Sequence, residues 1–196
     1  MSSSATATRN DGTGTAAEAV ESAESLRALY YVRFGFALVW VALLTAMAGT
    51  LGPAVIALLV LYPLFDVVAA VIDFRSSGAA RPKAPLCINM GLSLLAAAGL
   101  AVAIPAGAPG VLRVWGAWAI TAGLVQLLVA ILRYRLGGQW AMILSGGIST
   151  IAGTSFILMA NGPDASLGSV AGYALLGGIF FLFSALRLHR LAAKAR

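Results

Sequence analysis

Six apolar stretches, each close to the length of a membrane crossing, follow one another along this chain, and the basic residues fall almost entirely in alternate gaps between them. Of the 13 Lys and Arg residues, 12 lie on one side of that alternation. Arg9, Arg27 and Arg33 precede or open the first stretch; Arg75, Arg81 and Lys83 follow the second; Arg133 and Arg135 follow the fourth; Arg187, Arg190, Lys194 and Arg196 end the sixth. Arg113 alone is on the other side. Basic flanks of spanning helices are retained in the cytoplasm. The pattern therefore predicts an all-α integral membrane bundle of six transmembrane helices with both termini inside. A hydrocarbon core of about 30 Å takes about 20 apolar residues as helix, and these are available at 29–49, 53–73, 86–105, 113–132, 140–160 and 168–188. Gly49 to Pro53, Pro105 to Gly110, Gly137 with Gly138, and Asn161 to Asp164 read as the breaks.

Composition narrows the class further. A chain that is 60% hydrophobic and 10% charged, with mean hydropathy +0.92, is unsuited to water as a globular domain. The net charge of +6 is spread over several short segments without interleaved aromatics, which argues against nucleic acid and for anionic lipid at the cytoplasmic face. Cys87 is the only cysteine, so no intrachain disulfide or cysteine metal site is expected, and it reads as a small packing residue. Residues 1–25 are rich in Ser, Thr, Ala and Gly, lack an apolar run, and are expected to form a disordered cytoplasmic tail rather than a secretory signal. The transmembrane domain is expected over 26–190, with a basic cytoplasmic tail at 191–196. Tyr30, Tyr31, Tyr134 and Trp140 are expected at the inner headgroup level, Trp115 and Tyr173 at the outer one. Eleven Arg against two Lys, with abundant Ala and Gly, point to a GC-rich bacterial genome.

The helices pair in order into three hairpins, 29–73, 86–132 and 140–188, and an internal repeat accompanies that division. With Pro63, Gly123 and Gly177 in register as helix-break positions at one depth, Asp66, Gln126 and Phe180 coincide three residues on, and Asp73, Arg133 and Arg187 coincide at the cytoplasmic edge. Trp140, the Ser145, Gly146, Gly147, Ile148 run, Gly153, the Pro163 turn, Gly178 with Ile179, and Ser184 with Ala185 then give the last hairpin its character. This hairpin resembles the HdeD-like acid-resistance membrane proteins, six-helix bacterial inner-membrane proteins assembled from short hairpin repeats. The resemblance extends more faintly over 86–138 and least over the first hairpin, where Asp66 has no place in the family's pattern. It implies a non-enzymatic protein of the bacterial inner membrane linked to acid or envelope stress, and it supplies no catalytic residues.

The residues themselves add a polar cluster. Tyr62, Asp66 and Asp73 share one helix face. At about 1.5 Å per residue, Asp66 lies roughly 13 Å from Arg75, well inside the hydrocarbon. A carboxylate there is costly unless paired or wet. Arg33 enters from the same side to a similar depth, and Asn89 and Gln126 can contribute from the third and fourth helices. Two readings stay open: a structural ion pair of Asp66 or Asp73 with Arg33, or a proton or solute site. The fifth helix carries Ala141, Ser145, Ser149 and Gly153 at four-residue intervals, a small-residue stripe suited to internal packing or to a homo-oligomer seam. His189, the only histidine, sits in the basic tail, the serines lack a partnering base, and neither a phosphate-cradling loop nor a metal-ligand cluster is written in the chain. No enzyme, cofactor or metal is therefore expected. Three functional classes remain: a structural, stress-protective membrane protein; a small proton-coupled transporter or permease using the Asp66 cluster; and an accessory subunit of a larger membrane complex.

Overall fold

The computed structural model describes residues 4–47, 49, 51–76, 83–132, 134–136, 139–163 and 165–194, and the side chains of those from Ala23 on apart from Leu136, Leu191 and Lys194. Six long helices carry the fold: α1 (Ser4–Met47), α2 (Pro53–Ser76), α3 (Ala84–Ala103), α4 (Gly107–Leu132), α5 (Trp140–Met159) and α6 (Gly168–Lys194). Among the described residues every regular element is helical. Helix is the form in which each apolar segment satisfies its own backbone, as lipid requires. Pro53 opens α2 and a proline sits in the first positions of α3, where a missing N–H costs nothing. A short 3-10 turn, Ile104–Ala106, ends α3, and Gly107 at φ +66 turns the chain back into α4, a conformation that favours glycine. The expected tail at 1–25 and the Arg81, Arg133, Gly137, Gly138, Asp164 and Arg196 positions lie wholly or largely outside the described side chains.

Five helical stretches are long and apolar enough to cross a membrane: Ala23–Met47, Pro53–Ser76, Ala84–Leu132, Trp140–Met159 and Gly168–Arg190. The third of these contains α3, the 3-10 turn and α4. Only 17–33% of the apolar window in each is buried within the protein. Val102 at 80%, Leu132 at 75% and Ile151 at 73% are exposed on the outer surface. Apolar side chains in such numbers on the outside are the surface of a protein whose solvent is lipid.

Neighbouring helices run antiparallel. Ser25 on α1 and Ser76 on α2 share a hydrogen bond of 3.1 Å at one end, and Arg113 of α4 donates to Asn161 just past α5, 3.0 Å away, at the other. Arg27, Arg75, Lys83, Arg135, Arg187 and Arg190 all belong to the first of these ends, which is the basic end. The apolar core fills the opposite end. Trp40 and Leu44 of α1, Val55 and Leu59 of α2, Leu100 of α3, Val111, Leu112 and Trp115 of α4, Phe156 of α5 and Val170, Ala171 and Ala174 of α6 pack there as one cluster beside the short links.

Packing does not follow the expected hairpins. The most extensive pairings are α4 with α5, α1 with α6 and α2 with α3, and α5 with α6 is the least closely packed of the consecutive pairs. Four glycines explain the first. A Cβ on Gly116 would lie 2.6 Å from the Gly153 carbonyl oxygen, and one on Gly123 would lie 2.7 Å from that of Gly146, so these backbones approach as no larger residue permits.

Three local expectations are corrected by the same packing. Pro63, Gly123 and Gly177 do not interrupt their helices: α2, α4 and α6 continue through them. Trp115 is fully buried rather than turned outward as an anchoring ring, and Tyr173 turns inward to donate to Ser149 at 2.9 Å. Cys87 is exposed on the outside of α3 rather than packed within the bundle.

Candidate ligand cavity and its charged network

At the wall of the basic half of the bundle, Asp66 is 8% exposed and is surrounded by donors from two other helices. Arg33 of α1 donates through Nη2 to Oδ1 in an ion pair. On α3, Asn89 Nδ2 donates to Oδ2 at 2.7 Å and the fully buried Ser93 Oγ donates to the same oxygen at 2.8 Å. Asn89 and Ser93 are four residues apart, one turn of α3, so both present to α2 from one face. The Arg33 guanidinium also lies over the Phe181 ring of α6, 4.1 Å from its centroid, an orientation in which the ring quadrupole attracts the cation. One carboxylate thus ties α1, α2 and α3 together, and its partner arginine reaches α6.

Above this network lies an aromatic group. Tyr62 sits one turn before Asp66 and packs against Trp40, Trp115 and Trp118, with ring centroids 4.7, 5.3 and 6.2 Å away. Trp40 Nε1 donates to the Leu58 carbonyl at 2.6 Å, fastening α1 to α2. Trp115 Nε1 and Trp118 Nε1 are buried without a hydrogen-bond partner among the described residues. The aromatic group separates the apolar plug from the polar half.

Beneath the aromatics is a cavity of about 300 Å³. Of the polar residues expected from sequence, Arg33, Tyr62, Asp66, Asn89 and Gln126 all line it, and Asp73 does not. Ala141, Ser145 and Ser149 from the stripe line it too, as does Gly177, whereas Gly153 and Gly123 go into the α4–α5 seam. Sequence reasoning missed Ser93, Trp118, Tyr30 and Phe181. Ser93 could have been found from its one-turn spacing to Asn89, and the seam from the equal spacing of Gly116 to Gly123 and Gly146 to Gly153. Nothing in the sequence marks Trp118 or Phe181 as facing inward, because their helices are apolar on every side.

The cavity holds one guanidinium and one carboxylate, each the other's partner, with hydroxyls, amides and rings around them. Such a wall can hold a ligand by hydrogen bonds and ring contacts. Among the described residues, no group of three or more His, Cys, Asp or Glu comes together that could hold a metal ion. Compared with family models, with curated proteins and with solved structures, the chain has no match in any of the three.

Proposed function

We propose that this chain is a non-enzymatic, multi-pass protein of the bacterial cytoplasmic membrane, with six crossings and both termini inside, serving a structural and stress-protective role. Six crossings are supported by the reversal at Gly107: the apolar stretch Ala84–Leu132 is 49 residues long, and as one helix it would be more than twice the length a bilayer needs. Basic residues gathered at one end support the orientation. The stress role follows from the resemblance of the last hairpin to HdeD-like proteins.

The observation that carries the structural reading is the occupancy of Asp66. Among the described residues its hydrogen bonds are all from donors, three of them, on two neighbouring helices, which suits an acceptor-only carboxylate acting as a fastener. A permease that carries protons on this residue is the second reading, favoured by the cavity that adjoins it. Proteoliposomes with an imposed acid gradient separate the two. The structural reading expects the gradient to decay no faster than in empty liposomes; a protein-dependent flux that disappears in Asp66→Asn establishes the permease instead.

A further inference from the structure

We infer that the cavity is a binding site for a neutral, membrane-dissolved amphiphile with a planar ring head bearing carbonyl oxygens, of the quinone class, entering between α5 and α6. This rests on the membrane-embedded reading above and goes beyond it by naming a ligand chemistry.

Charge comes first. Arg33 and Asp66 neutralise one another at the wall, so a charged ligand would leave an uncompensated charge in a low-dielectric site, whereas a neutral one leaves the pair intact. Hydrogen bonding comes next. Gln126 and Ser145 bring an amide and a hydroxyl to the cavity without a partner among the described residues. Ser149 accepts from Tyr173, which leaves its own hydroxyl hydrogen to donate. These three groups can each donate or accept, but the Trp118 indole N–H on the same wall is a donor only and is buried without a partner among the described residues, so it calls for an acceptor on the ligand, which a carbonyl oxygen supplies. The head's shape follows from the rings: Trp118, Tyr62 and Phe181 line the same space, and aromatic faces and edges favour a flat ring between them. About 300 Å³ suits a one- or two-ring head with the start of a chain.

Entry follows from packing. α5 and α6 both line the cavity yet are the least closely packed consecutive helices, touching through Tyr173 at Ser149 and Phe156 toward the plugged end. Their outer faces, with Leu144 57% and Phe183 59% exposed, meet lipid. A single apolar tail can therefore leave the cavity through the α5–α6 gap into the bilayer.

The test titrates a decyl-substituted benzoquinone into the full chain in lipid nanodiscs and reads tryptophan fluorescence. Saturable quenching is expected for the wild type, with half-saturation about tenfold weaker in Gln126→Leu and in Ser145→Leu and unchanged in Ile151→Phe, which alters a lipid-facing residue. Linear quenching that is the same in all four proteins overturns the inference. So does displacement of the quinone by decanol at equal concentration, which would make the site one for an alkyl chain. In a Cys87→Ser background, labelling of Ser184→Cys in the same nanodiscs by a water-soluble thiol reagent shows the cavity to be formed. With labelling present and saturation absent, only the ligand assignment fails; with labelling absent, the membrane-bundle reading fails as well.

Discussion

Gly116 on α4 and Gly153 on α5 face one another so closely that a Cβ on Gly153 would lie 2.5 Å from the Gly116 carbonyl oxygen. Gly123 and Gly146 repeat the contact seven residues along, with a Cβ on Gly146 at 2.8 Å from the Gly123 carbonyl. Without a hydrophobic drive between helices in lipid, this approach is what holds α4 and α5 together. Gly153→Ala and Gly146→Ala are expected to destabilise the bundle by about 1–3 kcal/mol each through overpacking. Gly147→Ala, which meets nothing within 4 Å, is expected to be neutral. Thermal unfolding in detergent checks all three, and equal midpoints for Gly146→Ala and Gly147→Ala would remove the seam from the account.

The Arg33–Asp66 pair gives a prediction of different form. Removing one partner leaves the other buried and uncompensated, so Arg33→Met and Asp66→Leu should each cost about 3–5 kcal/mol. Replacing both removes the uncompensated charge, and the double variant should be more stable than either single one. Ser93→Ala should cost about 1 kcal/mol, the scale of one interhelical hydrogen bond in a membrane. A double-mutant cycle in detergent measures the coupling. Additive losses would mean that the two residues do not act as a pair.

Tryptophan positions are separable by lipid quenching. Trp140 is 68% exposed, while Trp40 and Trp115 are at most 1% exposed. Brominated lipid should quench the wild type in part, and Trp140→Phe should remove most of the quenchable fraction. If Trp115→Phe removes it instead, Trp115 stands at the lipid surface and the aromatic plug is misplaced.

Cys87 faces outward on α3, so Cys87→Ser should change stability by no more than about 0.5 kcal/mol. A larger loss would place the thiol in a packed interface.

The helices were largely legible because length and apolarity alone define a crossing: 53–73 and 140–160 lie within a few residues of α2 and α5. Arg33, Asp66 and Asn89 were legible for a related reason. Polar groups at matched depth in hydrocarbon must find one another, and counting residues from the basic edge is enough to match them. What hydropathy does not encode is which side of an apolar helix faces inward. Trp115 therefore read as an interfacial anchor although it is buried, and Cys87 read as packed although it faces out. The hairpin division followed chain order, whereas close packing followed small residues: Gly116 and Gly123 bind α4 to α5 across the hairpin boundary, and Gly178 lets α6 meet Ala37 of α1. Pro63 stays within α2 because one missing N–H does not stop a helix held on both sides by lipid and neighbours.

Sided thiol accessibility tests the central claim, a membrane bundle with a polar cavity in its basic half and an apolar plug in the other. In a Cys87→Ser background, Ser145→Cys reports the cavity and Val170→Cys reports the plug, where Val170 is fully buried. With a membrane-impermeant charged reagent on sealed vesicles, Ser145→Cys should react only from the side that carries the termini, and Val170→Cys from neither. Reaction of Ser145→Cys from the opposite side, or of Val170→Cys as readily as Ser145→Cys, would contradict it.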